Sequence, residues 1–203
     1  MRRPVKGQEN PEVATFKRET LSELERLSEQ QQIDLYYADE AAVCLEPCVP
    51  YAWQFQDEQA AMPASPAKGI NCFAMLTSDN RALVETTRES ITAKFIFEQF
   101  ERFSLRLRRL TVLIIDKAGA HRAQVIKERI EVWQRRGLFL FYLPRYWPHL
   151  SIVETLWRKL KYEWLTPSDY ERRETLSYGV RHALKAVGKN LFIHFSGLNH
   201  SSL

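Results

Sequence analysis

The chain has 203 residues, 45% of them hydrophobic, enough to bury one substantial core and too few for two large domains. Its 29 lysines and arginines against 25 acids leave a net charge of +4, a mildly basic balance that bears on polyanion binding rather than on fold. No apolar run reaches the roughly 18 residues of a membrane-spanning helix and MRRPVKGQENPE lacks the apolar centre of a signal peptide, so no membrane partner and a cytoplasmic location are expected. Cys44, Cys48 and Cys72 have neither a CxxC pair nor a matching histidine spacing, which argues against a disulfide framework and a zinc site.

After a polar start, PEVATFKRETLSELERL places Val13, Phe16, Leu24 and Leu27 near helical spacing, and residues 1–30 are taken as an N-terminal polar segment and helix. Residues 31–203 form the remainder, one domain with a C-terminal helical extension. IDLYYAD is apolar on both faces, as a central strand is, and closes on Asp39. Pro47, Pro50, Pro63 and Pro66 surround YAWQF, predicting a short strand within irregular chain. NCFAMLT and RALVETT flank SDN as a hairpin. ESITAKFIFEQFERFSLRLRRL reads as one helix capped by Ser90, with Ile96, Phe100, Phe103 and Leu107 on its apolar stripe. LTVLIID is a buried strand ending at Asp116, HRAQVIKERIEVWQRRG a helix stopped by Gly137, and LFLFYLP a strand stopped by Pro144. A last helix opens near Ser151 and carries Glu154 in its first turn. This order describes an α/β fold, a mixed β-sheet flanked by α-helices. A nucleotide-binding doubly wound domain is disfavoured, because neither GxGxxG nor GxxxxGKS occurs.

Three carboxylates, Asp39, Asp116 and Glu154, thus arrive from separate elements. An ionised carboxylate at the edge of an apolar sheet is costly unless a cation or basic neighbour compensates it. Mg²⁺ suits such a set, since it takes few protein carboxylates and leaves room for phosphate oxygens. A pair of such ions activates an attacking hydroxyl and stabilises a leaving oxygen. Each acid taken singly is equally well explained as a strand end or as a favourable charge at a helix N-terminus.

Three blocks, DEAAVCLEP at Asp39, DKAGAHRA at Asp116 and LPRYWPHLSIVETLW at Glu154, resemble the mariner-like DDE transposases of bacterial insertion sequences. The family pattern there is a DE pair, DNxxxH and PxYSPxLNxxE. The resemblance runs from about Pro4 to the C-terminus, and the last two acids lie 38 positions apart, a separation compatible with that family. It implies an RNase H-like catalytic domain in which Asp39, Asp116 and Glu154 bind two Mg²⁺ or Mn²⁺ ions with DNA bound. It also implies metal-dependent cleavage and strand transfer at transposon ends, with a homodimer as the active form. Lys117, His121, Arg122, Arg145, His149, Arg158 and Lys161 become candidate DNA contacts. His121 has two readings, orientation of substrate or local hydrogen bonding. Trp157, Leu160 and Trp164 fall at core spacing, and Trp53 is read as packing although a tryptophan often follows the first strand in this family.

The chain departs from the pattern at Lys117, where the family has Asn, and at Arg145, Trp147 and Ser151, which replace Pro, Ser and Asn. A lysine beside a metal-binding aspartate competes with the cation or binds phosphate instead. The alternative function is therefore an inactive DNA-binding or oligomerising remnant of a transposase. Only 38 residues precede Asp39, too few for the family's helix-turn-helix region, which is expected on a separate or missing segment of a truncated or frameshift-encoded protein. The basic runs RLRRL, WQRRG, WRKLKY and YERRE are either solvated helix faces or a surface that tracks phosphates.

Overall fold

The computed structural model describes residues 11–45, 69–116, 120–143 and 151–195. Its strands are β1 (Asp34–Val43), β2 (Ile70–Leu76), β3 (Ala82–Thr87), β4 (Thr111–Ile115) and β5 (Leu138–Tyr142). Its α-helices are α1 (Pro11–Glu29), α2 (Ala93–Ser104), α3 (Gln124–Lys127), α4 (Ile130–Arg135), α5 (Ile152–Lys159) and α6 (Arg173–Ala186). The strands form one mixed sheet in the order β3-β2-β1-β4-β5, flanked by helices. β1 runs parallel to β4 and β4 to β5, whereas β2 and β3 form an antiparallel hairpin.

The described residues fall into two compact units. The first contains the segments that end at Ala38, run from Thr92 to Ile152 and resume at His194; the second contains Asp39 to Ile91 and Val153 to Ile193.

In the first unit, all five residues of β4 are buried, as a strand covered on both faces requires. The β1 residues Leu35, Tyr36, Tyr37 and Ala38 are buried beside it. α2 presents Ile96, Phe100 and Phe103 to this core, with Tyr36 and Phe103 meeting edge to face at 5.0 Å. Two expectations about α2 are corrected. Its N-cap is Thr92 rather than Ser90, because the Thr92 hydroxyl accepts from the Phe95 amide at 3.3 Å. The helix also stops at Ser104, so Leu107 and the RLRRL arginines lie beyond it. Arg109 there donates to the Gln31 carbonyl at 2.9 Å, tying the turn before β4 to the turn before β1.

The helix expected from His121 to Arg136 is broken into a 3₁₀ turn at Ala120–Arg122, α3 and α4. The break falls at Glu128 and Arg129. There Arg129 places its guanidinium on the Glu101 carboxylate of α2 with bonds of 3.0 and 2.8 Å. Gly137 ends α4 as read, with φ +90° where a side chain would be strained. On α1 the apolar spacing mispredicted the buried face, for Val13 and Phe16 are exposed while Leu21 and Glu25 are buried. Glu25 is tolerated because the Tyr37 hydroxyl donates to it at 2.7 Å.

In the second unit, β2 and β3 turn through residues 77–81, where Asn80 adopts φ 66°, a conformation asparagine accepts more readily than most residues. The Asn80 side chain then binds the Ile193 backbone twice, at 3.0 and 2.7 Å. From Val153 on, α5 buries Val153, Leu156 and Trp157, and passes into a five-residue π turn, Leu160–Trp164, in which the Leu165 amide reaches the Leu160 carbonyl at 3.2 Å. Trp164 is only half-buried. The strand expected at YAWQF, together with Trp53 and Cys48, lies outside the described residues.

Candidate active site

Asp116 follows the last residue of β4, so the strand that supplies the centre of the core also delivers this carboxylate to its edge. Its side chain is 55% exposed, while that of His121, five residues on, is fully buried. The His121 Nδ1 lies 2.6 Å from Asp116 Oδ1. An ionised carboxylate only accepts, so that nitrogen carries the proton and donates. The backbone of this turn is held as well. Tyr142, paired with Ile115 across β4 and β5, donates its hydroxyl to the His121 carbonyl at 3.0 Å. The buried His121 ring thus makes a local hydrogen bond to the carboxylate five residues before it.

In the second unit, Asp39 is not at the end of its strand as expected, for β1 continues to Val43 and Asp39 is a half-buried interior position. Its Oδ2 accepts a hydrogen bond from the Trp157 Nε1 at 3.1 Å. Trp157 is 5% exposed, so it is core, as its spacing implied, and a carboxylate partner besides. Sequence reasoning missed that second role, although the signal was present: Trp157 stands three residues after Glu154, on the neighbouring turn of the same helix. Glu154 itself is exposed in the first turn of α5, where its charge is favoured. Arg158 is exposed one turn later, and Lys161 is half-buried in the π turn with its carbonyl accepting from the Tyr170 hydroxyl at 3.4 Å.

Tyr37 lies opposite Ile114 in the parallel register of β1 and β4. Among the described residues no group of three His, Cys, Asp or Glu side chains is gathered tightly enough to hold a metal ion. Lys117, Arg145, Trp147 and His149 lie outside the described residues, as does the side chain of Arg122. Of the basic runs, WQRRG is partly committed to structure, since Arg136 donates to Glu101 at 2.7 Å and to Ser104 at 2.9 Å. Among the described residues no helix is long and apolar enough to cross a membrane.

Residues 34–177 match the family model for the DDE superfamily endonuclease, a span that opens on the first residue of β1 and contains all three acids. The chain belongs to the DDE superfamily. This DDE domain is similar in fold to the Mos1 transposase catalytic domain in its structure with Raltegravir and Mg, at 13% identity and a TM-score of 0.50 over 88% of this chain and 86% of that one. It is also similar to a chain of the simian T-cell lymphotropic virus intasome in complex with the PP2A regulatory subunit B56 gamma, at 11% identity and a TM-score of 0.54 over 79% and 50%. Against the Mos1 strand transfer complex the values are 14% and 0.47, and although 95% of this chain is covered, it spans only 66% of that one. A comparison with curated protein sequences returned no match. The fold shared with these neighbours is that of RNase H-like transposase and integrase cores.

Proposed function

We propose that this chain is the catalytic domain of a DDE transposase, cleaving a phosphodiester at an element end and joining the exposed 3′ hydroxyl to target DNA. The observation that supports the reading is the match of residues 34–177 to the DDE superfamily endonuclease, a span that contains Asp39 and Asp116 as well as Glu154. Glu154, in the first turn of α5, is the third member. The donor set fits a hard divalent cation, because it consists of carboxylate oxygens of which those on Asp116 and Glu154 face solvent. Asp39, Asp116 and Glu154 would hold Mg²⁺ or Mn²⁺, two ions with DNA bound, and such ions supply charge neutralisation at the phosphodiester and activation of the attacking oxygen. The protein's own part is positioning. His121 sets the orientation of Asp116 and Trp157 that of Asp39, so neither carboxylate has to be ordered when the ion binds.

On this reading Lys117, His121, Arg122, Arg145, His149, Arg158 and Lys161 are DNA contacts or lie beside them, with the buried His121 acting through Asp116. The partners are transposon ends, target DNA, a second copy of the chain in the active assembly and a separate helix-turn-helix segment. Location is the bacterial cytoplasm, with the chain associated with the nucleoid when bound to DNA. Residues 31–203 make up the catalytic domain, with 1–30 preceding it.

The chain, joined to a DNA-binding segment, is incubated with plasmid duplex and Mg²⁺ or Mn²⁺. Nicking is expected from the parent and none from Asp116→Asn; an active Asp116→Asn chain overturns the assignment. The lysine after Asp116 and the bulky ring of Trp147 favour a second reading, a DNA-binding remnant. Inertness of the parent with activity in Lys117→Asn/Trp147→Ser would support it.

A further inference from the structure

The second unit contains a groove of about 590 Å³ between the sheet-edge strand β3 and helix α6. Its apolar floor includes Leu83 and Leu184, and its charged lining is Arg181, Lys185 and Lys189 against the single acid Glu85. Arg181 is docked to the strand, donating from Nε to the Thr86 hydroxyl at 3.0 Å. Lys189 is offered by the turn after α6, which Gly188 makes at φ +73°, and a Cβ there would collide with the Asn80 carbonyl. The cations are thus presented by anchored backbone rather than scattered on a flexible tail. None of the groove residues is one of the three acids.

Along α6 the exposed face continues as Tyr178, Arg181, His182 and Lys185, at spacings of three, four and seven, which form one stripe. Tyr178 is 71% exposed and stacks on His182 with ring planes 12° apart and centroids at 5.8 Å. Exposed aromatic surface interleaved with cations is what a nucleic-acid strand uses, since every base has a face to stack while the phosphates follow the charge. A duplex hides its base faces, and an acidic peptide has no use for the rings. We infer that the β3–α6 groove with its Tyr178–His182 rim is a binding site for a single nucleic-acid strand. Lys185 and Lys189 neutralise neighbouring phosphates and the ring pair receives a base. Arg181 is both a contact and the link that fixes α6 to β3.

The site goes beyond the cleavage reading and is tested apart from it, on the full chain without divalent ion, so that no turnover enters the measurement. A fluorescent mixed-sequence strand of about 20 nucleotides and its duplex are titrated by anisotropy across a salt series. The single strand is expected to bind more tightly than the duplex. Lys185→Glu/Lys189→Glu should lower its affinity by at least about tenfold and reduce the salt slope by about 1.4, two phosphates at roughly 0.7 each. Tyr178→Ala should cost about fivefold or more on the single strand and leave the duplex unchanged. Both lysines and Tyr178 are exposed, so these variants retain the fold, and Lys94→Glu/Lys127→Glu in the other unit, also exposed, controls for overall charge. An unchanged salt slope in the lysine pair overturns the site. So does a duplex bound as tightly as the strand with no effect of Tyr178, or displacement by poly-glutamate as effective as by unlabelled strand.

Discussion

Replacing Glu101 by Gln removes the charge on which the helical layer of the first unit converges. Its carboxylate accepts from Arg129 at 3.0 and 2.8 Å, from the fully buried Trp133 Nε1 at 2.8 Å and from Arg136 at 2.7 Å. The Arg129 hydrogen bonds first, with those of Arg136 and Trp133, hold the carboxyl well down, at about 2 against an ordinary 4.5. A depressed acid stabilises the fold fully above its unfolded value, and that contribution drains away as pH falls from 4.5 through 2. The shift corresponds to about 3 kcal/mol, reduced to roughly 2 because the side chain keeps some contact with water. The neutral amide of Gln still accepts one bond but faces two guanidinium groups with a donor of its own, so the loss at neutral pH is expected to be about 2–3 kcal/mol. Urea denaturation of parent and variant at pH 7 and near pH 3 measures it, with the difference falling to about half at the lower pH. A difference under about 0.5 kcal/mol at neutral pH, or one that does not change with pH, would refute the reasoning. Because α2 packs against the turn that carries His121, the same variant should also loosen the support of Asp116.

Glu25 has the opposite sign: burial pushes its carboxyl up to about 7 despite the Tyr37 hydrogen bond. Stability from this group is full below 4.5 and is lost as pH rises through about 7, so Glu25→Gln should be more stable than the parent by about 2–3 kcal/mol at pH 8 and indistinguishable at pH 4, read by urea titration. Trp157→Phe keeps most of the buried ring and deletes the donor to Asp39. Nicking should fall about tenfold in kcat with little change in KM for DNA, and equal kinetics would show that Asp39 needs no such support.

The sequence alone determined several of the elements and the end of the chain's central strand. Five consecutive buried residues in β4 read as a strand because apolarity on both faces is a local property, and Asp116 follows it directly. Glu154 in a first helical turn, the hairpin about Asn80 and the stop at Gly137 were legible for the same reason, since each depends on the preferences of neighbouring residues. Tertiary structure alone decided where those preferences yield. The helix after His121 is interrupted at Glu128 and Arg129, where Arg129 meets Glu101, 28 positions earlier, and a single apolar period cannot announce an ion pair. β1 runs past Asp39, and the partner of that carboxylate is a tryptophan 118 positions away. Likewise Leu21 and Glu25, rather than Val13 and Phe16, are buried, because burial on α1 is set by what packs against it and Tyr37 supplies a polar partner to the buried acid. Periodicity is written in adjacent residues, whereas hydrogen-bond partners are chosen only when distant segments meet.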